Sequence, residues 1–181
     1  MKSIITLVAM LASVALNAQI LLGDKTEITF YSYTPVENIS ARSTTITEAV
    51  NLSTGDFTFK IVIKTFDFPN DLMEEHFNEN YLESSKYPNA TFKGTFTSTT
   101  PIDLAKDGTY PVTATGVLTV HGVAQKRTIP AVITIKNGVA SLEAKFKIKL
   151  VDHNIEVPTV VFSKIAEEID VTIKSKLKGA K

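Results

Sequence analysis

Apolar and polar residues alternate with a period of two along most of this chain. From 108 to 121, Tyr110, Val112, Ala114, Gly116, Leu118 and Val120 share one face. Thr113, Thr115, Thr119 and His121 lie on the other, together with Val117. Residues 127–136 bring Ile129, Ala131, Ile133 and Ile135 together. Ala140, Leu142, Ala144, Phe146, Ile148 and Leu150 then alternate against Ser141, Glu143, Lys145, Lys147 and Lys149. Each segment predicts a strand with one buried face. Gly122 turns the chain after the first of them, and Asn137-Gly138 is the strongest two-residue hairpin signal in the sequence. A last strand over 168–177 sets Ile169, Val171, Ile173 and Leu177 against Asp170, Thr172, Lys174 and Lys176; Glu167-Glu168 ends a short turn expected from Phe162. Near the start, residues 26–34 predict a strand through Ile28 and Phe30. Residues 36–47 predict a second through Ile39 and Ala41, with Pro35 marking the break. Residues 20–23 read as a short lead, and 50–54 carry no clear pattern.

The exception to this rhythm is the run from Phe57 to Phe96. Phe57, Phe59, Ile61 and Ile63 fall on one face of a strand, but Phe66 and Phe68 have the opposite parity. A one-residue slip flips every later side chain, so the strand bulges or ends near Thr65. Pro69 closes it. Asn70 or Asp71 then caps a helix, with Asp71 and Glu74 at capping-box spacing. Met73, Phe77 and Tyr81 lie four apart and share one face. Pro88 takes Tyr87 out of helical geometry, and strand alternation resumes with Phe92, Gly94 and Phe96.

About eight strands joined mostly by short turns, each with one apolar face, predict an antiparallel barrel or sandwich. Strands of ~10 residues, or ~30 Å, favour the barrel. The expected fold is therefore all-β: an eight-stranded antiparallel barrel with one short helix inserted between strands.

The first 18 residues read differently. Lys2 is followed by an apolar stretch from Ile4 to Leu16, with small residues at Ala15 and Ala18. That is the pattern of a cleaved secretory signal. It is shorter than the ~20 residues a membrane span needs. Residues 19–181 remain as one domain. The 181-residue chain has no cysteine, so an exported form relies on its core and not on disulfides. Its 19 Lys and Arg balance 19 Asp and Glu. Lys2 lies in the leader, so the mature chain carries one more acid than base. That balance gives no footprint for nucleic acid or an acidic membrane. No later segment is apolar enough to span and no cysteine can carry a lipid, so no stable membrane anchor is expected; a homodimer is compatible with this reading.

Reactive chemistry is sparsely signalled. His76, His121 and His153 show no zinc-ligand spacing, and no metal site is expected. There is no Gly-x-Ser-x-Gly elbow. Glu74, Glu75, Glu79 and Glu83 have the residue type of a paired-carboxylate site but read as the solvated side of a helix. Sequons at Asn38, Asn51 and Asn89 matter only in a eukaryotic secretory pathway.

Three segments carry a resemblance: LMEEHFNENYLESSKYPNATFKG, GVLTVHGVAQKRTIPAVI and DHNIEVPTVVFSKIAEEIDVTI. In this order they resemble the YceI-like family of bacterial exported proteins, over about Lys25 to Lys178. The resemblance implies a lipocalin-like barrel, a periplasmic or secreted location, no enzymatic activity, and an interior that holds a polyisoprenoid or quinone-like tail. The chain departs from the family in two places. Many members carry an Arg-Asp pair early in the helical region and an Arg-Ser-Asp-Phe-Gly-like turn before the last strand. Here those places read Leu72-Met73-Glu74-Glu75 and Leu150-Val151-Asp152-His153-Asn154.

An eight-stranded barrel either fills its interior or leaves room for one ligand. Ala114, Gly116, Ala131, Ala140 and Ala144 would leave room, whereas large Phe side chains would fill it. With the resemblance, the expected binding residues are Phe57, Phe59, Ile61, Phe92 and Phe96, then Tyr110, Val112, Ala114 and Leu118. Ile133, Leu142, Ala144, Phe146, Ile169 and Val171 complete the interior. Met73, Phe77 and Tyr81 are expected to form an apolar lid. The ligand is a long apolar molecule, and no other cofactor is expected. The competing readings are a solidly packed stress-related interaction protein and an enzyme using His121 or His153.

Overall fold

The computed structural model describes residues 20–158 and 163–180. The expected leader over residues 1–18 and the turn residue Phe162 lie outside the described residues. Among the described residues, the strands are β1 (Ile20–Tyr33), β2 (Asn38–Ser43), β3 (Ile46–Asn51), β4 (Asp56–Val62), β5 (Asn89–Ser98), β6 (Gly108–Val120), β7 (Val123–Lys136), β8 (Val139–Lys149) and β9 (Glu168–Gly179). All pairings are antiparallel, and β9 returns to pair with β1 over ten residue pairs. The sheet is thereby closed.

β1 pairs with β2 through residues 28–33 and with β3 through residues 20–22. β2 and β3 are thus two halves of one wall position, and the barrel has eight positions. Two expectations are corrected here. The lead at residues 20–23 belongs to β1, and the single strand expected over 36–47 is broken at Thr44-Thr45. The break has a local cause. The Ser43 hydroxyl accepts from the Thr45 amide and meets the Thr65 hydroxyl at 2.7 Å, which pulls the chain off the ladder. Residues 50–54, unreadable in sequence, are the end of β3 and a turn in which the Asn51 carboxamide accepts from Ser53 and Thr54.

β6 and β7 are joined by the two-residue turn His121-Gly122, and β7 and β8 by Asn137-Gly138. All four residues have positive φ, between 51° and 75°, the geometry that matches a right-handed strand twist. Pairing of β7 with β8 covers only residues 131–136 of β7. Pro130, just before that segment, has no amide to offer a neighbour. Beyond it the seam is bridged by side chains. The Arg127 guanidinium donates to the Lys147 carbonyl, and the Gln125 amide donates to the Asp152 carbonyl at 2.8 Å.

The interior has two unlike halves. At one end, Leu21, Val50, Phe57, Tyr110, Ile129, Ile133, Ile135, Ala140 and Leu177 pack into a filled core. Ile102 and Leu104 close it from the β5–β6 connection, and the Tyr110 hydroxyl donates to the Lys106 carbonyl at 3.1 Å. At the other end a second apolar group surrounds a cavity.

A polar layer lies among the inward residues of β1, β3 and β9. The Thr26 and Ser175 hydroxyls, 2.9 Å apart, both donate to Oε1 of Glu48. All three residues are buried, and Oε2 of Glu48 has no partner. Gly23 makes room for this side chain, because a Cβ there would come within 2.7 Å of the Glu48 Cγ. Burial pushes the Glu48 carboxyl above its ordinary value of 4.5, against the two hydroxyls that lower it. The native state therefore binds this proton more tightly than the unfolded chain. Its contribution to stability is full below the ordinary glutamate range and is lost as pH rises through the raised native value. Each unit of the rise removes about 1.4 kcal/mol once the group must ionise. Glu48→Gln is expected to flatten the fall in melting temperature between about pH 4 and pH 8. Parallel melting curves for variant and parent across that range would show that Glu48 does not titrate with folding.

Candidate functional site

The site is built at the end of the barrel where the β4–β5 connection crosses over. β4 ends at Val62; the Ile63 amide still donates to the Pro88 carbonyl, and a 3-10 turn then carries the chain off the ladder over Ile63–Thr65. Phe66 and Phe68 are then both buried, while Asp67 between them bridges to Arg42 of β2. The parity slip read at Thr65 is this turn. Asn70 caps the helix α1 (Asp71–His76), its carboxamide oxygen accepting from Leu72 and Met73. With Asn70 as the cap, Asp71 and Glu74 do not form the expected capping box. A π-helical turn over Phe77–Tyr81 continues α1.

The helix docks through aromatic rings. Phe77 stacks on Phe30 of β1 at 5.4 Å with the rings 20° apart, and meets Phe66 and Phe68 at 5.6 and 5.0 Å. Offset and tilted arrangements of this kind add to the burial energy itself. Below them lies a cavity of about 450 Å³. Its wall is apolar: Ile28 and Phe30 of β1, Ile61 of β4, Leu118 and Val120 of β6, Ile148 of β8, Val171 of β9. Phe59, Phe92, Phe146 and Ile173 also touch the filled half and make the floor. Polar lining comes largely from connections at the open end: Glu37, Asn70, His76 and Lys164.

Of the expected site residues, Phe59, Ile61, Phe92, Leu118, Phe146, Ile169 and Val171 line this cavity, and so do Met73, Phe77 and Tyr81 from the helix. Burial raises the Tyr81 phenol above its ordinary value, so it stays neutral. The others do not line it. Phe57, Phe96, Tyr110, Val112, Ala114, Ile133, Leu142 and Ala144 face inward but pack in the filled half. The small residues there do not leave space. Phe57 and Phe92 meet at 4.8 Å, and Gly116 is a close approach between strands. A Cβ on Gly116 would lie 2.2 Å from the Lys93 carbonyl oxygen. Sequence reasoning missed Phe30, Phe66, Phe68 and Ala90 as lining residues. The parity slip was the available signal for Phe66 and Phe68: it carries them off the β4 wall into the crossing connection.

A His–carboxylate pair does occur. His121 Nε2 lies 2.7 Å from Oε2 of Glu83, and its Nδ1 lies 3.1 Å from the His153 carbonyl. Neither residue lines the cavity. The pair ties the end of the helical excursion to the β6–β7 turn, with Tyr87 packed edge-on against the imidazole at 4.7 Å. His153 is fully buried, and burial lowers its pKa, so it stays neutral. Glu74, Glu75 and Glu79 are on the helix and outside the cavity lining. Among the described residues, no group of three or more His, Asp or Glu could hold a metal ion, and no helix is long and apolar enough to cross a membrane.

Residues 21–177 match the family model described as the YceI-like domain. The chain belongs to the YceI-like family. Three solved structures with this fold are distant in sequence. A polyisoprenoid binding domain from Saccharophagus degradans aligns with a TM-score of 0.75 at 15% identity, covering 90% of this chain and 99% of that one. BcnA from Burkholderia cenocepacia aligns at 0.67 and 18% identity, over 83% of this chain and 95% of its own. The YCEI protein of Campylobacter jejuni aligns at 0.55 and 17%, over 100% and 91%. At these identities the likeness is one of fold. No curated protein matches the chain. The two family departures fall at the site's edge. Leu72-Met73 lies in the first turn of α1, where both residues line the cavity, and Leu150 to Asn154 contains the 3-10 turn Val151–His153 that carries the buried His153.

Proposed function

We propose that this YceI-like protein is an exported, non-enzymatic carrier that shelters the apolar chain of an isoprenoid-, quinone- or other lipid-like molecule inside its barrel. The observation that carries the reading is the apolar cavity of about 450 Å³ beneath the docked helix. That volume falls within the ~300–1,000 Å³ of ordinary small-molecule sites. Burial alone supplies the affinity: ten methylenes at about 0.8 kcal/mol each give roughly 8 kcal/mol, a micromolar scale before ordering costs. The polyisoprenoid named for the Saccharophagus degradans domain supports this class of ligand. The leader pattern of residues 1–18 supports export. A packed interaction protein would have its barrel filled from end to end, and only one half is filled here.

Organic extraction of the purified protein followed by mass spectrometry tests the reading. An apolar molecule in near-stoichiometric amount is expected, and the stripped protein is expected to take up an added prenyl alcohol. A clean extract together with no uptake would overturn the carrier.

A further inference from the structure

We infer that the cavity of this chain ends at a floor part-way down the barrel and takes only the first ~13 Å of a single apolar chain, so that any longer tail must leave its remainder outside the barrel. The inference rests on the carrier reading and adds a limit that the reading does not contain.

The limit comes from how the barrel divides. β7 contributes no side chain to the cavity wall, and its inward residues Ile129, Ile133 and Ile135 are all in the filled half. Ile133 and Ile135 are essentially inaccessible. On β9 the change is visible along one strand: Ile169, Val171 and Ile173 line the cavity, Ser175 joins the Glu48 layer, and Leu177 is in the packed end. A chain descending past Ile173 would meet Phe59, Phe92 and Phe146 and the hydrogen-bonded Glu48 group. Passing them requires displacing packed rings and separating buried hydroxyls from a carboxyl, and each of those steps opposes binding. The depth available is therefore the stretch from the lid to that floor. Along the end of β8 and the residue after it, the lining runs from Phe146 to Leu150, four residue steps or ~13 Å at strand rise.

With C–C bonds of ~1.5 Å an extended chain advances about 1.3 Å per carbon, so ~13 Å takes about ten carbons. A geranyl or decanoyl chain lies within that depth. A geranylgeranyl or octadecanoyl chain exceeds it even when partly coiled.

Affinity should consequently rise about fourfold for each methylene added while the chain is still inside, then stop rising. The test titrates the stripped full-length protein with two series: geraniol, farnesol and geranylgeraniol, and decanoate, tetradecanoate and octadecanoate. Dissociation constants come from displacement of a fluorescent apolar dye. The expected result is a steep gain that ends by farnesol or tetradecanoate, with less than a threefold change beyond. If only the prenyl series binds, the ligand is isoprenoid and the limit stands. If both bind, the cavity reads length and not branching, and the limit stands. Affinity that keeps climbing steeply to geranylgeraniol and octadecanoate would overturn the limit while leaving the carrier intact. No binding of any member would overturn both. Phe59→Ala, which lowers the floor, is expected to move the break to the longer members. An unmoved break in a variant that still folds by circular dichroism would place the limit elsewhere and overturn the floor assignment.

Discussion

Replacing Gly116 by valine is expected to leave little or no folded protein at ambient temperature. Gly94 and Gly116 face each other across the β5–β6 ladder. A Cβ on Gly94 would lie 2.1 Å from the Thr115 carbonyl oxygen, and one on Gly116 would lie 2.2 Å from that of Lys93 and 3.0 Å from the Gly94 Cα. These neighbours are backbone, so relief requires the strands themselves to part. The ladder around them runs without interruption through eight residue pairs, and Phe92 two residues from Gly94 packs on Phe57. Overpacking a core with extra carbon commonly costs about 1–3 kcal/mol when side chains can adjust. Here they cannot, and valine adds three carbons. A loss on the order of 5 kcal/mol takes away all of the stability at the low end of the ~5–15 kcal/mol a domain has, and a third of it at the high end. Denaturant midpoints decide it. Gly116→Ala should fall between parent and valine variant, and Val117→Ala, on the exposed face of the next residue, should change the midpoint little. A valine variant with the parental midpoint would mean the strands are not in contact there.

The barrel was legible in the sequence because its strands bury one face only. From Gly108 to Lys149, three strands and two turns could be placed from parity and from Asn137-Gly138 alone. The first wall was harder. Thr26, Glu48 and Ser175 each stand at an apolar parity position on a different strand; the flanking residues still reveal β1 and β9, whereas Glu48 sits inside the short β3 and leaves only Ile46 and Val50 to mark it. The three form one hydrogen-bonded group in the fold. Three polar residues at inward parity were therefore a signal of mutual contact, visible only once the barrel's closure is known. The division of the interior was less legible still. Inward residues at both ends carry the same pattern, and what separates cavity from packed core is long-range. The helix and its Phe77 cover one end, and Tyr110, Ile102 and Leu104 close the other. Parity says which way a side chain points and nothing about what it meets there.

That distinction sets up the sharpest test of the site. Ala90→Trp is expected to abolish uptake of apolar ligands while leaving the protein folded. Ala90 lines the cavity and pairs in register with Ile61, another lining residue. An indole there would extend into empty volume and would not displace packed atoms, so stability should hold or rise, as cavity filling commonly gives. A ligand would lose the room of roughly five methylenes at about 0.8 kcal/mol each, so binding should weaken by ~4 kcal/mol, about a thousandfold. Leu104→Ala at the closed end is the mirror experiment. Leu104 packs against the filled core, so its truncation should lower stability and leave the dissociation constant for farnesol unchanged. Loss of binding in the first variant with loss of stability in the second would assign binding to one half of the barrel and folding to the other. Equal affinity of Ala90→Trp and the parent would put the ligand outside this cavity.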